Sequence, residues 1–273
     1  MKRVTAIVLV VLLFLMSGCT AGKESMGDYV PSEDFEVAVA FVDKGAAKVA
    51  TRKTSDREVS AIELACVYFD GNGELVEQIE QIHCDFTTED SLSIWSFDAA
   101  ESSKYMEAVV SGVMYADGTQ QTCPGISDWM HAKAKSFSVK KHKKKMEKLA
   151  AEEAVKAQQC DAVELNMEAP SNSEQSVGVK NISGKKIATV TIYLLWYDPD
   201  GAPVDVKGAF ISNAKKISAE ILDVEEEATY TIAAPEDAAI VKGIVQSVIF
   251  EDGSVWENNY VYEWAVCNYA SAQ

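Results

Sequence analysis

Two stretches of the chain, Ser60–Asp70 and Ala188–Asp198, set an apolar side chain at every second position and end alike, on two aromatic residues and an aspartate. Successive side chains of a strand point to opposite faces. Ile62, Leu64, Cys66 and Tyr68 therefore share one face, and Val190, Ile192, Leu194 and Trp196 share its counterpart. Each run then turns, through Gly71-Asn72-Gly73 or Pro199-Asp200-Gly201. A second matched pair is Val113–Gly118 with Val248–Gly253, both closing on Asp-Gly, a favoured hairpin turn because both central residues tolerate positive φ. Beyond it, Asp128-Trp129 and Glu263-Trp264 stand equally far from Asp117 and Asp252, and upstream Trp95-Ser96-Phe97 pairs with Tyr230-Thr231-Ile232.

The offset between copies is 198 − 70 = 128 at the first landmark and 252 − 117 = 135 at the second. Four landmarks in one order predict an internal duplication. The drift predicts a longer loop in the second copy, between its first turn and the Tyr230 strand. Strands are expected at 35–42, 46–52, 58–69, 74–84, 91–97, 107–116 and 119–131 in the first copy. Those of the second are expected at 161–168, 175–181, 186–197, 203–212, 227–233, 241–251 and 254–266. Short strands separated by turns, with no strong amphipathic helix among them, predict an antiparallel sandwich per copy. Val190, Ile192, Leu194, Trp196, Val245 and Val248 are its expected core in the second. Trp129 and Trp264 are expected to plug the cores from the last strands.

Between the copies the pattern changes. Val139–Gln159 is rich in Ala, Lys, Glu and Gln, without Gly or Pro, and predicts a helix roughly 30 Å long. Its apolar stripe of Val139, Met146, Leu149 and Ala150 is too thin for a coiled-coil seam. Lys140, Lys141, Lys143, Lys144, Lys145 and Lys148 make its start the one basic cluster of an acidic chain. They read as a solvated helix face, or alternatively as a contact for anionic envelope polymer or lipid headgroups.

The start of the chain belongs to neither copy. Lys2 and Arg3 precede an unbroken apolar run, Ala6–Met16, and then Ser17-Gly18-Cys19. That layout is a secretory signal, too short to span a bilayer stably. With 42 Asp+Glu against 25 Lys+Arg the chain carries −17, which repels phosphate backbones and excludes nucleic acid as a partner. Anionic headgroups repel it as well, so a covalent anchor is the expected route to a membrane.

Candidate chemistry is sparse. No zinc-protease motif, nucleophile elbow, phosphate loop or dinucleotide fingerprint is present, and His83, His131 and His142 share no metal-ligand spacing with Cys, Asp or Glu. No metal or cofactor is expected. Asp198-Pro-Asp-Gly201 reads as a tight turn, since Ala209 stands where a calcium loop needs its distal Glu. Apart from Cys19, Cys66 reads as a small core residue, while Cys84 with Cys123 and Cys160 with Cys267 are conceivable disulfides.

Residues 1–19 resemble a bacterial lipoprotein signal, although Met16 stands where Leu is usual. The resemblance implies lipidation of Cys19, which would become the mature N-terminus. Val177-Gly-Val-Lys-Asn181, Ser183-Gly-Lys185 and Ile187–Asp198 with Tyr197-Asp198 and Gly201 resemble the FxLYD-type immunoglobulin-like domains of bacterial surface proteins. This similarity covers most of 161–267 and weakens in 33–132, where Lys53 replaces the Asn and Phe69 the Tyr. It implies a fold and no active site.

The expected architecture is mainly β: two tandem immunoglobulin-like antiparallel β-sandwiches joined by an α-helical linker. The divisions are a signal peptide at 1–18, a flexible tether at 19–32, domains at 33–132 and 160–273, and the linker at 133–159. The expected function is a membrane-anchored, extracytoplasmic lipoprotein acting as a non-catalytic interaction or adhesion module. Its partners would be the membrane, through Cys19, and another envelope protein or polymer. A receptor for a small ligand or glycan, and an enzyme without recognisable motif, are the alternatives.

Overall fold

The strands of the first half are β1 (Phe35–Asp43), β2 (Ala46–Lys53), β3 (Val59–Phe69), β4 (Leu75–Asp85), β5 (Leu92–Asp98), β6 (Tyr105–Tyr115) and β7 (Gln120–Thr122). Helices α1 (Ile126–Ser136) and α2 (Val139–Ala157) follow. The second half comprises β8 (Val163–Met167), β9 (Glu174–Asn181), β10 (Ile187–Tyr197), β11 (Ala214–Leu222), β12 (Glu227–Ala233), β13 (Ile240–Phe250), β14 (Val255–Glu257) and α3 (Val261–Ala270). The structure, a computed structural model, describes residues 28–86, 92–157, 160–206, 209, 211 and 214–270. The expected signal segment and Cys19 lie outside the described residues.

Among the described residues the fold is mainly β, in four antiparallel sheets. Their orders are β1-β2-β5 and β4-β3-β6-β7 in the first half, then β12-β9-β8 and β11-β10-β13-β14 in the second. Each half thus contains the same three-stranded and four-stranded sheets, with one helix after the last strand. The repetition extends to single hydrogen bonds. Asp70 Oδ1 accepts from the N–H of Asn72 and Glu74 at 2.8 Å each, and Asp198 Oδ1 does the same from Asp200 and Ala202 at 2.9 and 2.8 Å. Asp117 Oδ1 accepts from the N–H and hydroxyl of Thr119, as Asp252 Oδ1 does from Ser254.

In each half the two sheets share one core. Phe35, Ala47 and Val49 of the smaller sheet meet Ile62, Leu64, Cys66, Tyr68, Met106, Val110 and Val113 of the larger. In the second half Val163, Val177 and Val179 meet a group containing all six core residues expected from the alternation. The two central strands, however, are buried on both faces. Ala65, Val67 and Phe69 point out of the first core into a cluster under α1, and Tyr193, Leu195 and Tyr197 point out of the second against α3.

Three expectations change. The strands placed at 119–131 and 254–266 are short strands followed by helices, so Trp129 and Trp264 sit on α1 and α3, not on strands. Ile126, Trp129, Met130 and Lys133 are buried at helical spacing, and Pro124-Gly125 ends the strand before them. Gly125 has φ +79°, and a Cβ there would lie 2.4 Å from the backbone of Asp28 and Tyr29, so only glycine fits. The strand placed at 203–212 is instead β11 at 214–222, with Tyr197 and Pro203 making only an isolated bridge. Ile192 pairs with Ile217 as Leu64 pairs with Ile82, which locates the second copy's extra length between its first turn and β11. Finally, Tyr29 falls in the expected flexible tether yet is buried. Its hydroxyl donates to Val110 O at 3.0 Å and its ring lies 6.3 Å from that of Trp129.

α3 is apolar around its circumference, and such a helix must be covered on every side. One side packs on the outer face of β10 and β13. The other meets Val39 and Ala50 on the outer face of β1 and β2, with Phe41 and with Met146 of α2 at the margin. The layers therefore run α1, four-stranded sheet, three-stranded sheet, α3, four-stranded sheet, three-stranded sheet.

This packing can be tested in two ways. Residues 160–273 alone should be β-rich by circular dichroism but self-associate in light scattering, because Tyr262, Val266 and Tyr269 lose their cover. A monodisperse monomer would show that the joint is not held by this apolar surface. Asn181, fully buried, donates to Lys185 O, Leu222 O and Asp223 O at 2.8–3.1 Å and accepts from Ser183. Asn181→Ala should cost about 2–3 kcal/mol in urea unfolding, and Lys53→Ala at the equivalent place under ~0.5 kcal/mol.

Candidate functional site

The junction between the halves gathers side chains far apart in sequence. From β1 come Phe41, Val42 and Asp43; from the start of β6, Tyr105, Met106 and Glu107, with Lys104 just before it. α2 adds His142, Lys143, Met146 and Glu147, and α3 adds Val266 and Tyr269. Between them lies a cleft of about 540 Å³, lined by all of these except Asp43 and Glu107.

Three charged groups sit at the junction, Asp43 and Glu107 next to residues that line the cleft and Arg52 against the start of α3, and each is neutralised locally. Asp43, deeply buried, accepts from Lys48 Nζ at 2.8 Å and from the Tyr269 hydroxyl at 2.9 Å, which ties β1 to α3. Glu107 lies 3.4 Å from His142 Nδ1, 3.8 Å from Lys145 Nζ and 3.9 Å from Lys133 Nζ, which ties β6 to both α1 and α2. Arg52 of β2 pairs with Glu36 and with Glu263 of α3 and donates to Asn259 O at 2.6 and 3.1 Å. Its guanidinium also lies 4.8 Å from the Tyr260 ring centroid, with the Lys156 ammonium 4.5 Å from the same ring.

Burial pushes the Glu107 carboxyl upward, but the His142 hydrogen bond with the charges of Lys145 and Lys133 outweighs it and holds the group down at about 2. Around Arg52, burial works against the charge, and Glu263 and Glu36 raise its affinity for the proton. These are structural neutralisations: each cation and carboxylate joins two elements.

The lysines singled out from the sequence do not converge. All six are exposed; Lys145 reaches Glu107, Lys148 lies 3.4 Å from Glu152 on its own helix, and Lys143 lines the cleft. Inward from α2 point His142, Met146 and Leu149, all half-buried. Residues Glu107, Arg52, Asp43 and Tyr269 escaped the sequence reading, because their partners lie up to 226 positions away.

The five cysteines among the described residues are free thiols. Cys84 and Cys123 are not bridged. Cys84 belongs with Cys66 to the core between the two sheets of the first half, whereas Cys123 packs under α1 on the opposite face of the larger sheet. Cys160 and Cys267 are not bridged either. Cys267 is buried within α3, and Cys160 sits half-buried beside a second cleft of about 530 Å³, with Met167, Lys242 and Trp264. Burial pushes the Cys66 and Cys84 thiols up to about 12 and raises that of Cys160, which disfavours nucleophilic thiolate. Among the described residues no three His, Cys, Asp or Glu gather as a metal site, and no helix is long and apolar enough to cross a membrane.

Residues 175–270 match a family described as a family of unknown function (DUF5780). The match runs from β9 through α3, so it takes in the helix with the strands that it covers. No curated protein matches the chain.

Glu107 provides a pH-dependent test. Its carboxyl ordinarily titrates near 4.5 and here near 2, so its stabilisation is present above pH ~4.5 and lost as pH falls through ~2. Glu107→Gln should lower stability at pH 7 by roughly 2 kcal/mol, a gap that narrows below pH ~4. Chemical denaturation at both pH values measures it; a gap independent of pH would assign the loss to packing.

Proposed function

We propose that the protein is an extracytoplasmic lipoprotein, anchored through lipidated Cys19, and a non-catalytic interaction module of the bacterial envelope. In this reading its two halves are immunoglobulin-like sandwiches of the FxLYD type. The observation that carries it is the joint: Asp43 with Tyr269 and Arg52 with Glu263 bond across it and hold two repeated units as one body, while Glu107 fastens α2 to β6. A fixed pair of sandwiches offers a partner a preorganised surface, which lowers the ordering penalty of binding. Tyr29, fastened beside Trp129, gives the leader side of the chain a firm attachment to that body.

Two sequence features support the finer points. The Asn181 bonds and the Asp198 turn are the structural use of the residues that resemble the FxLYD pattern. The compact layout of residues 1–19 supports lipidation. The exposed Lys140, Lys141 and Lys144 remain candidates for contact with an anionic polymer.

A second reading, a receptor for a small ligand, is favoured by the junctional cleft, where apolar walls meet Lys104, His142 and Lys143. An enzyme is disfavoured, because the buried acids and bases at the joint neutralise one another.

The anchor is testable directly. Cys19→Ala should stall processing or release the protein from the membrane fraction, read by fractionation and blotting. A variant processed and retained like wild type would overturn the lipoprotein reading.

A further inference from the structure

We propose that the junctional cleft binds a small anionic amphiphile, a carboxylate or phosphate head on an apolar body. The proposal rests on the receptor reading of this cleft and is independent of the Cys19 anchor. The walls supply the first half of the argument. Phe41 of β1, Met106 of β6, Met146 of α2 and Val266 of α3 converge from four elements on about 540 Å³, within the range that encloses small ligands. Methionine adapts its shape to an irregular apolar body, and two of these four are methionine.

The polar groups supply the second half. Lys104, just before β6, and Lys143, on α2, approach from different parts of the chain, both reach solvent, and neither forms an ion pair among the described residues. The one carboxylate lining the cleft among the described residues is Glu147, and the nearby Asp43 and Glu107 are already neutralised. In a chain of −17, two such cations over an apolar pocket are the local exception, and they suit a compact anion. A neutral sugar would need a denser set of hydrogen-bonding partners than Met and Val walls provide.

The test uses the chain from Thr20 onward, which retains every described element, and isothermal titration calorimetry with octanoate, octyl phosphate and octanol below any micelle concentration. The two anions should bind with one site per chain, and octanol about tenfold more weakly. The double variant Lys104→Gln/Lys143→Gln alters two exposed side chains, so thermal unfolding should be unchanged while anion affinity falls about tenfold. Wild-type affinity should also fall as salt rises. Preference for octanoate would point to free carboxylates, and preference for octyl phosphate to phospholipid-like heads; both support the site. Equal binding of octanol and the anions, unchanged affinity in the double Gln variant, or no binding of either anion at millimolar concentration would overturn it.

Discussion

The arrangement depends on α3 having no solvent face. A helix whose apolar residues occupy one stripe can end a fold, with its polar side in water. α3 carries Val261, Tyr262, Trp264, Ala265, Val266 and Tyr269, all buried, and needs cover from two directions. Its own half supplies β10 and β13, and the other half supplies β1 and β2. Without that second surface the aromatic rings of Tyr262 and Tyr269 would face water, and rings of this size contribute heavily to the stability of any interface that buries them. The halves are joined by a shared core and not by the intervening helix alone.

Apolar burial drives that docking but does not select an orientation, and the charged groups do. Arg52 reaches Glu263 only in one register of α3 against β2, and Asp43 accepts from Tyr269 under the same constraint. Buried ion pairs are weak sources of net stability, since desolvation offsets most of their attraction. Misdocking, by contrast, would cost Glu263 its Arg52 partner and Asp43 the Tyr269 hydroxyl while keeping both carboxylates out of water, at a penalty of up to several kcal/mol. The joint is thus apolar for affinity and ionic for geometry. α2 adds a third fastening, because Glu107 gathers cations from α1 and α2 onto β6.

Much of the strand framework was legible in the sequence, because period-two alternation and Asp-Gly turns act over a few residues. Ile62–Tyr68 and Val190–Trp196 reported their inner faces directly. The same strands also signalled a cover on the outside: Ala65, Val67 and Phe69, like Tyr193, Leu195 and Tyr197, are too apolar for a solvated face. That second face predicts covering helices such as α1 and α3, and in α1 the helical spacing of Ile126, Trp129, Met130 and Lys133 is short enough to resemble a strand's alternation. β11 was misplaced because Val204 and Val206 mimic strand alternation while packing against the core from a loop. The cleft and its ion pairs were illegible for a different reason. They depend on which face of one half meets which helix of the other, and no local pattern encodes that choice.

The two copies also differ where docking requires it. At the positions of α1 equivalent to Tyr262, Glu263 and Val266 stand Ser127, Asp128 and His131, all exposed. On the smaller sheet, the places of Lys48, Ala50 and Arg52 are taken by Ser176, Gly178 and Lys180, and Glu164, Asn166, Thr229 and Thr231 beside them are exposed. One helix and one sheet face therefore carry the complementary apolar and ionic groups, while their duplicates carry polar ones. A head-to-tail repeat with identical faces could add copies without limit, since the same surface would always remain open. Here the equivalent outer faces are solvated, so the joint forms once, between the halves of a single chain.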